Sequence, residues 1–303
     1  MDKCYFYDKE ICKDCKPTDL RDSHIFPNFL FRYIKKDIGE IPFRDATNPN
    51  LIIRSGIKYR LLCECGEDAF NNYETYFSKK IFYPFADQQA SSVTYDRSFS
   101  MFVISLFWRC FIYHTIEKRN ATFWNDNKEA RKEMDTILDL WKNCLHGKCS
   151  LENWGKLYFI PVNKSNLEHN QINPIFFITP LTSFGYGIYK TDDKRLMFYV
   201  QIPHFVFIFL PKTQVQQEVN ISNLLTDNGT ICFSNIEYTQ DELSILEYIS
   251  KKEKIDMLKH PMSKKQIDII KKQCNSSGKY VISNSKRIID QQNETLKSIN
   301  SHL

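Results

Sequence analysis

Cys12-Lys13-Asp14-Cys15, then Asp22-Ser23-His24-Ile25-Phe26-Pro27, then Leu61-Leu62-Cys63-Glu64-Cys65-Gly66-Glu67 are the stretches that decide the fold. Two thiols separated by two residues can grip one tetrahedral zinc from a tight turn, and a second close pair can complete a four-sulfur site. Such a site clamps the segment from Ile25 to Lys36 against the one beginning at Leu61. A module this small does not achieve that by hydrophobic burial alone. Cys12, Cys15 and Cys63 are the expected ligands. The fourth is either Cys65, one residue beyond Cys63's neighbour, or Cys4 from the amino terminus. Ordinary buried thiols are the competing reading.

If residues 20–26 form a strand, alternation places Asp22 and His24 on one face and Ser23 on the other. An imidazole beside a carboxylate suits metal-assisted phosphodiester hydrolysis. His24 takes a proton from the attacking water, and Asp22 helps to hold a divalent ion, Mg²⁺ or Mn²⁺. Beyond the cysteines a helix is predicted on which Glu67, Asn71 and Glu74 share a face at i, i+4 and i+7. Asn71 or Glu74 is expected to complete the site. The bland alternative makes Glu67 a helix-start acid, Asn71 and Glu74 solvated side chains, and His24 a structural histidine.

These blocks, in this order, resemble a family of bacterial HNH-like proteins. The family pattern runs Cys-x2-Cys, Ser-His-Ile-Ile-Pro-Lys-Phe-Leu, then Leu-Leu-Cys-x2-Cys-Glu and an aromatic helix. Here it is carried by Cys12 through Phe85, with Ser23-His24-Ile25-Phe26-Pro27-Asn28-Phe29-Leu30, Leu61-Leu62-Cys63 and Phe70-x3-Glu74-x2-Phe77-x3-Ile81-Phe82. The resemblance implies a zinc-stapled ββα-metal module around a nuclease histidine, acting on nucleic acid, DNA before RNA. Relatives of this kind frequently sit among anti-phage defence genes. Gly66 stands where the family's last cysteine would be, and the helix lacks the final His of standard HNH enzymes. A scaffold that keeps zinc without the chemistry, binding nucleic acid or a partner, is therefore the alternative to an endonuclease. A partner chain or second copy of this chain is one source of a missing ligand.

At 303 residues the chain is longer than one such module, so residues 1–90 are expected to lead a larger body spanning 91–303. Hydrophobic content of 42% with 9 Gly and 11 Pro excludes long disordered linkers. Ten cysteines without a secretory start are expected to stay reduced, in the cytoplasm. Phe99 to Ile116 is apolar but short for a membrane span and carries Arg109 near its middle, so it reads as a buried helix and no membrane is expected. A second helix, 127–145, has the apolar stripe Met134, Ile137, Leu138 and Trp141, making a helical hairpin. Its end, Cys144-x-His146-x2-Cys149, offers three metal-ligand types in one loop without a fourth.

From Lys156 the period shortens. Residues 157–160, 174–178, 186–189, 197–202 and 205–210 are aromatic or β-branched runs with a hairpin turn at Asp192-Asp193, predicting an antiparallel sheet. His204 between two apolar runs reads as structural. Helices return at 241–251, 264–273 and 285–299, completing an α+β fold. Residues 251–303 hold 12 Lys plus Arg against 5 Asp plus Glu, so the basic excess belongs to this tail. Lys264, Lys265, Lys271 and Lys272 recur on nearly one helical face, as a phosphate track or as a solvated surface.

Overall fold

The computed structural model describes residues 3–276 apart from 9–11, 13–15, 17, 39–42, 46–47, 54, 118–127, 151–154, 173–180, 191–195 and 213–218. Its α+β composition is the one predicted. The expected strand at 174–178, the Asp192-Asp193 turn and the helix at 285–299 lie outside the described residues.

Strand β1 (Arg21–His24) pairs antiparallel with β4 (Lys58–Leu62), His24 standing opposite Lys58. Between them run helix α1 (Asn28–Ile38) and a minimal hairpin of β2 (Phe43–Arg44) and β3 (Ile52–Ile53). Ser23 turns inward as alternation requires, and its hydroxyl accepts the Leu62 N–H at 3.2 Å. Gly56, φ +87°, lets the chain pass so close to Phe31 that an added Cβ would lie 2.5 Å from the ring, and no other residue type meets both demands. The turn it permits delivers the Ile57 carbonyl to the Ile25 N–H at 3.0 Å.

Helix α2 (Glu64–Phe77) starts directly after Cys63 and runs into a π-helical turn, Ser78–Phe82, and then α3 (Tyr83–Ala86). Pro84 accounts for the widened turn, since it lacks an N–H and its ring crowds the carbonyl four residues back. After β5 (Ser92–Tyr95) comes α4 (Arg97–Glu117), buried on every side from Phe99 to Phe111. This helix is long and apolar enough to cross a membrane, yet 72% of its apolar window is covered by the protein itself. It behaves as the core helix the sequence predicts. Helix α5 (Lys128–Leu145) lays Met134, Ile137, Leu138 and Trp141 inward, with Trp141 5.3 Å from Phe107, giving the expected hairpin.

Four strands, β6 (Gly155–Pro161), β7 (Gly185–Lys190), β8 (Leu196–Ile202) and β9 (Phe205–Pro211), form an antiparallel sheet in the order β6-β9-β8-β7. Strand β9 is buried on both faces. Phe205, Phe207 and Phe209 join the core beneath α2 and α4, while Val206, Ile208 and Leu210 face a second cluster. That second face is covered by α6 (Lys164–His169) and by α7 (Gln240–Lys259), through Leu167, Ile245, Leu246 and Ile249. A capping box opens α7, in which Thr239 accepts the Glu242 N–H and the Glu242 carboxylate accepts the Thr239 N–H. A short strand β10 (Gly229–Cys232) pairs with β5, and α8 (Lys264–Ser276) follows α7.

The expected boundary near residue 90 falls inside one continuous core that runs from Cys4 to Phe233. Phe77 sits at its junction, stacked on Phe102 at 4.0 Å and edge-on to Phe205 at 5.5 Å. Aromatic packing thus runs across residue 90.

Pro203 and His204 close the β8–β9 hairpin. Proline fixes the first corner and His204, φ +70°, takes the left-handed second corner, the pairing a type II turn demands. The imidazole is anchored by Val162 O at 3.1 Å and the Tyr33 hydroxyl at 3.4 Å, as a structural histidine should be. Burial pushes its pKa down to about 4. The unfolded chain, titrating near pH 6.5, therefore takes up this proton first. Stability should be full above about pH 6.5 and fall toward pH 4 by at most about 1.4 kcal/mol per pH unit from this group. Urea midpoints measured between pH 7 and 4 check this, and His204→Asn, which tolerates the left-handed corner and does not titrate, should flatten the slope.

Candidate active site and cysteine cluster

The predicted helical face is realised. Glu67, Asn71 and Glu74 of α2 line a cavity of about 370 Å³ together with His24 from the end of β1. Asn28 and Arg32 of α1, Asp68 and Thr75 of α2, Ser78 of the π-helical turn and Arg109 of α4 complete its polar wall. The volume lies at the lower end of the range for ligand sites, about 300–1,000 Å³. Asp22 does not reach it. Alternation does put Asp22 on the same side of β1 as His24, but two residues along a strand is about 6.6 Å, and there Asp22 is exposed beyond the cavity rim.

Three buried polar atoms of this cavity's residues make no hydrogen bond: His24 Nε2, Glu67 Oε1 and Arg109 Nη2. Such orphans cost stability unless something satisfies them. Burial and the Lys58 charge hold His24 below the ordinary imidazole range, while hydrogen bonding to the Ser55 backbone and the nearby Glu67 carboxylate act in the other direction. The ring is therefore a neutral base at physiological pH, with its Nε2 lone pair unengaged.

Glu74 is already committed. Its Oε1 accepts from Arg109 Nη1 at 2.6 Å, and the same nitrogen reaches the His24 carbonyl at 3.1 Å. Arg109 is 3% exposed and its guanidinium lies over the Phe70 ring at 5.3 Å. Sequence reasoning treated Arg109 only as a charge too costly for a membrane and gave Arg32 no role. The available signal was that cost itself, since a lone Arg in an apolar helix needs a buried partner.

On the far side of β4 the cysteines gather. The Tyr5 N–H bonds the Leu61 carbonyl at 3.0 Å, which draws Cys4 to Cys63, whose N–H donates to Cys4 Sγ at 3.2 Å. Cys63 Sγ lies 3.9 Å from Cys12 Sγ. Burial raises the Cys4 thiol to about 12 and raises Cys12 as well. Cys65 is disulfide-bonded, so the expectation of reduced cysteines fails there while holding at Cys4, Cys12 and Cys63. Cys15 lies outside the described residues. A Cβ added at Gly66 would lie 3.3 Å from side-chain atoms of both Phe6 and Leu62, so a cysteine there would have to push them aside by a few tenths of an ångström. Among the described residues, no group of three or more His, Cys, Asp or Glu is arranged to hold a metal ion.

In the 144–149 loop, the Cys144 and Cys149 sulfurs approach to 2.9 Å, and His146 stacks on Phe6 at 4.1 Å. On α8, Lys264, Lys265 and Lys272 are exposed, and Gln266 ties the helix to Arg44 at 2.9 Å. Comparison with protein-family models, curated proteins and solved structures found no match to this chain.

Glu74→Ala should cost about 3 kcal/mol, the low end for breaking a buried ion pair, because it strands the Arg109 charge. Denaturant titration of the variant reads that loss. A change below about 0.5 kcal/mol, the range of ordinary surface substitutions, would show the pair to be dispensable.

Proposed function

We propose that the chain is a metal-dependent, HNH-like endonuclease hydrolysing phosphodiester bonds in nucleic acid, DNA before RNA, with a role in anti-phage defence. The observation that carries this reading is the pair of unpartnered buried atoms, His24 Nε2 and Glu67 Oε1, in one cavity. A neutral imidazole with a free lone pair is a general base. As water adds to phosphorus and the bond to the leaving oxygen breaks, His24 accepts the water's proton. Glu67 and the Asn71 amide oxygen are the groups that would hold Mg²⁺ or Mn²⁺, since hard cations take oxygen ligands. A divalent ion bound there supplies neutralisation of the phosphate's charge. Asp22, outside the cavity, and Glu74, held by Arg109, leave that ligand set.

A structural zinc belongs to the same reading. Bonds of 2.3 Å in a tetrahedron separate two sulfurs by roughly 3.8 Å, and Cys12 and Cys63 stand 3.9 Å apart. Cys4 is beside them, and Cys15 is the remaining ligand, since the disulfide-bonded Cys65 has no thiolate to give. The engagement of Glu74 by Arg109 favours the second reading, a zinc-stabilised binding protein, because it withdraws a carboxylate from the chemistry.

His24→Ala should lower Mg²⁺- or Mn²⁺-dependent cleavage of DNA at least about a hundredfold while shifting the melting temperature little. Wild-type protein that binds DNA and cleaves neither DNA nor RNA points to the binding protein instead. Purified wild-type protein should carry about one zinc per chain by elemental analysis, and Cys12→Ser or Cys63→Ser should lower both zinc and solubility. A stable, zinc-free protein under reducing conditions removes the zinc from the reading.

A further inference from the structure

We propose that Arg109, carried into the cavity by α4, binds a phosphate oxygen of the substrate. The inference takes its ligand class from the phosphodiester reading above, but the binding group stands on its own geometry. A guanidinium has five N–H donors in a rigid fork. In Arg109, Nη1 serves Glu74 Oε1 and the His24 carbonyl, and Nε points at Ser105 O at 3.4 Å. Nη2 is buried and lacks any acceptor, and Arg109 is one of the residues that line the cavity. An unmet donor on a charged group costs more than the about 1–3 kcal/mol of a neutral one, so this arrangement is suited to a bound acceptor.

Glu67, Asp68 and Glu74 put carboxylates on the same lining, so an oxyanion is drawn there by the open half of the Arg109 fork. Glu74 offsets one positive charge while leaving half of the fork open, and a planar fork matches two oxygens of a phosphate. Arg32, an exposed residue of the cavity lining, adds a second cation. Because Nη1 also holds the His24 carbonyl, the group that grips the phosphate and the strand that carries the base are fixed to each other within one hydrogen bond. The site is then built from both parts of the chain, with α4 contributing the anion contact and β1 and α2 the base and the carboxylates.

Calorimetric titration of full-length protein with inorganic phosphate, without added divalent ion, tests this. Wild type should bind, and Arg109→Lys, which keeps the charge and loses the fork, should bind at least tenfold more weakly. Glu74→Gln, which frees the guanidinium from its carboxylate, should bind several-fold more tightly. No binding by wild type, or equal affinity in wild type and a folded Arg109→Lys, overturns the inference. If Arg109→Lys does not fold, Glu74→Gln decides: raised affinity supports the phosphate contact, and unchanged or reduced affinity overturns it. Cleavage is scored separately. Arg109-dependent phosphate binding without any wild-type cleavage keeps the anion site and removes the nuclease, whereas wild-type cleavage with an unaltered KM in a folded Arg109→Lys does the reverse.

Discussion

Arg109, only 3% exposed, dictates the arrangement of everything near its guanidinium. Desolvating that charge costs several kcal/mol, recovered only with a close counter-charge and further acceptors. Glu74 from α2, the carbonyl at the end of β1 and the previous turn of α4 provide them. Three elements from distant parts of the sequence are thereby held at fixed separations. The cavity is the space left between them, so its shape follows from an electrostatic requirement as much as from packing.

Around this polar centre the support is aromatic. Phe77, at the last residue of α2, meets α1 through Phe29, α4 through Phe99 and Phe102, and the sheet through Phe205 and Phe207. Rings of this size bury large apolar areas and prefer a few relative orientations, which makes the contact stiff. At the other end of α2, its N-cap Cys63 is tied to Cys4, the N–H donating to Cys4 Sγ at 3.2 Å. A helix pinned at both ends, with its ion pair between, presents Glu67, Asn71 and Glu74 in constant register.

Much of this was legible because it is periodic. The apolar run of α4, the stripe on α5 and the alternating strands around Phe205 announce themselves within short windows, and so does the shared face of Glu67, Asn71 and Glu74. What escaped depends on distance. Alternation gives Asp22 a face but says nothing about whether the cavity extends that far. Arg109 finds its carboxylate on another helix 35 residues away, a pairing no local pattern encodes. The division at residue 90 rested on where a motif stopped, whereas the aromatic residues that pack across it are spread over both sides. Cys65, disulfide-bonded beside three free thiols, shows that spacing counts sulfurs without assigning their partners.

Strand β9 lies at the centre of the sheet and is covered on both faces, yet it follows every residue that lines the cavity in the order of the chain. A ribosome therefore finishes the chemistry-bearing residues well before it makes the surface that Phe77, Phe99 and Phe207 share. A nascent or prematurely terminated polypeptide has all the polar groups of the site and no floor beneath them. The order of synthesis thus withholds the packed form of this cavity until β9, Phe205–Pro211, has been made.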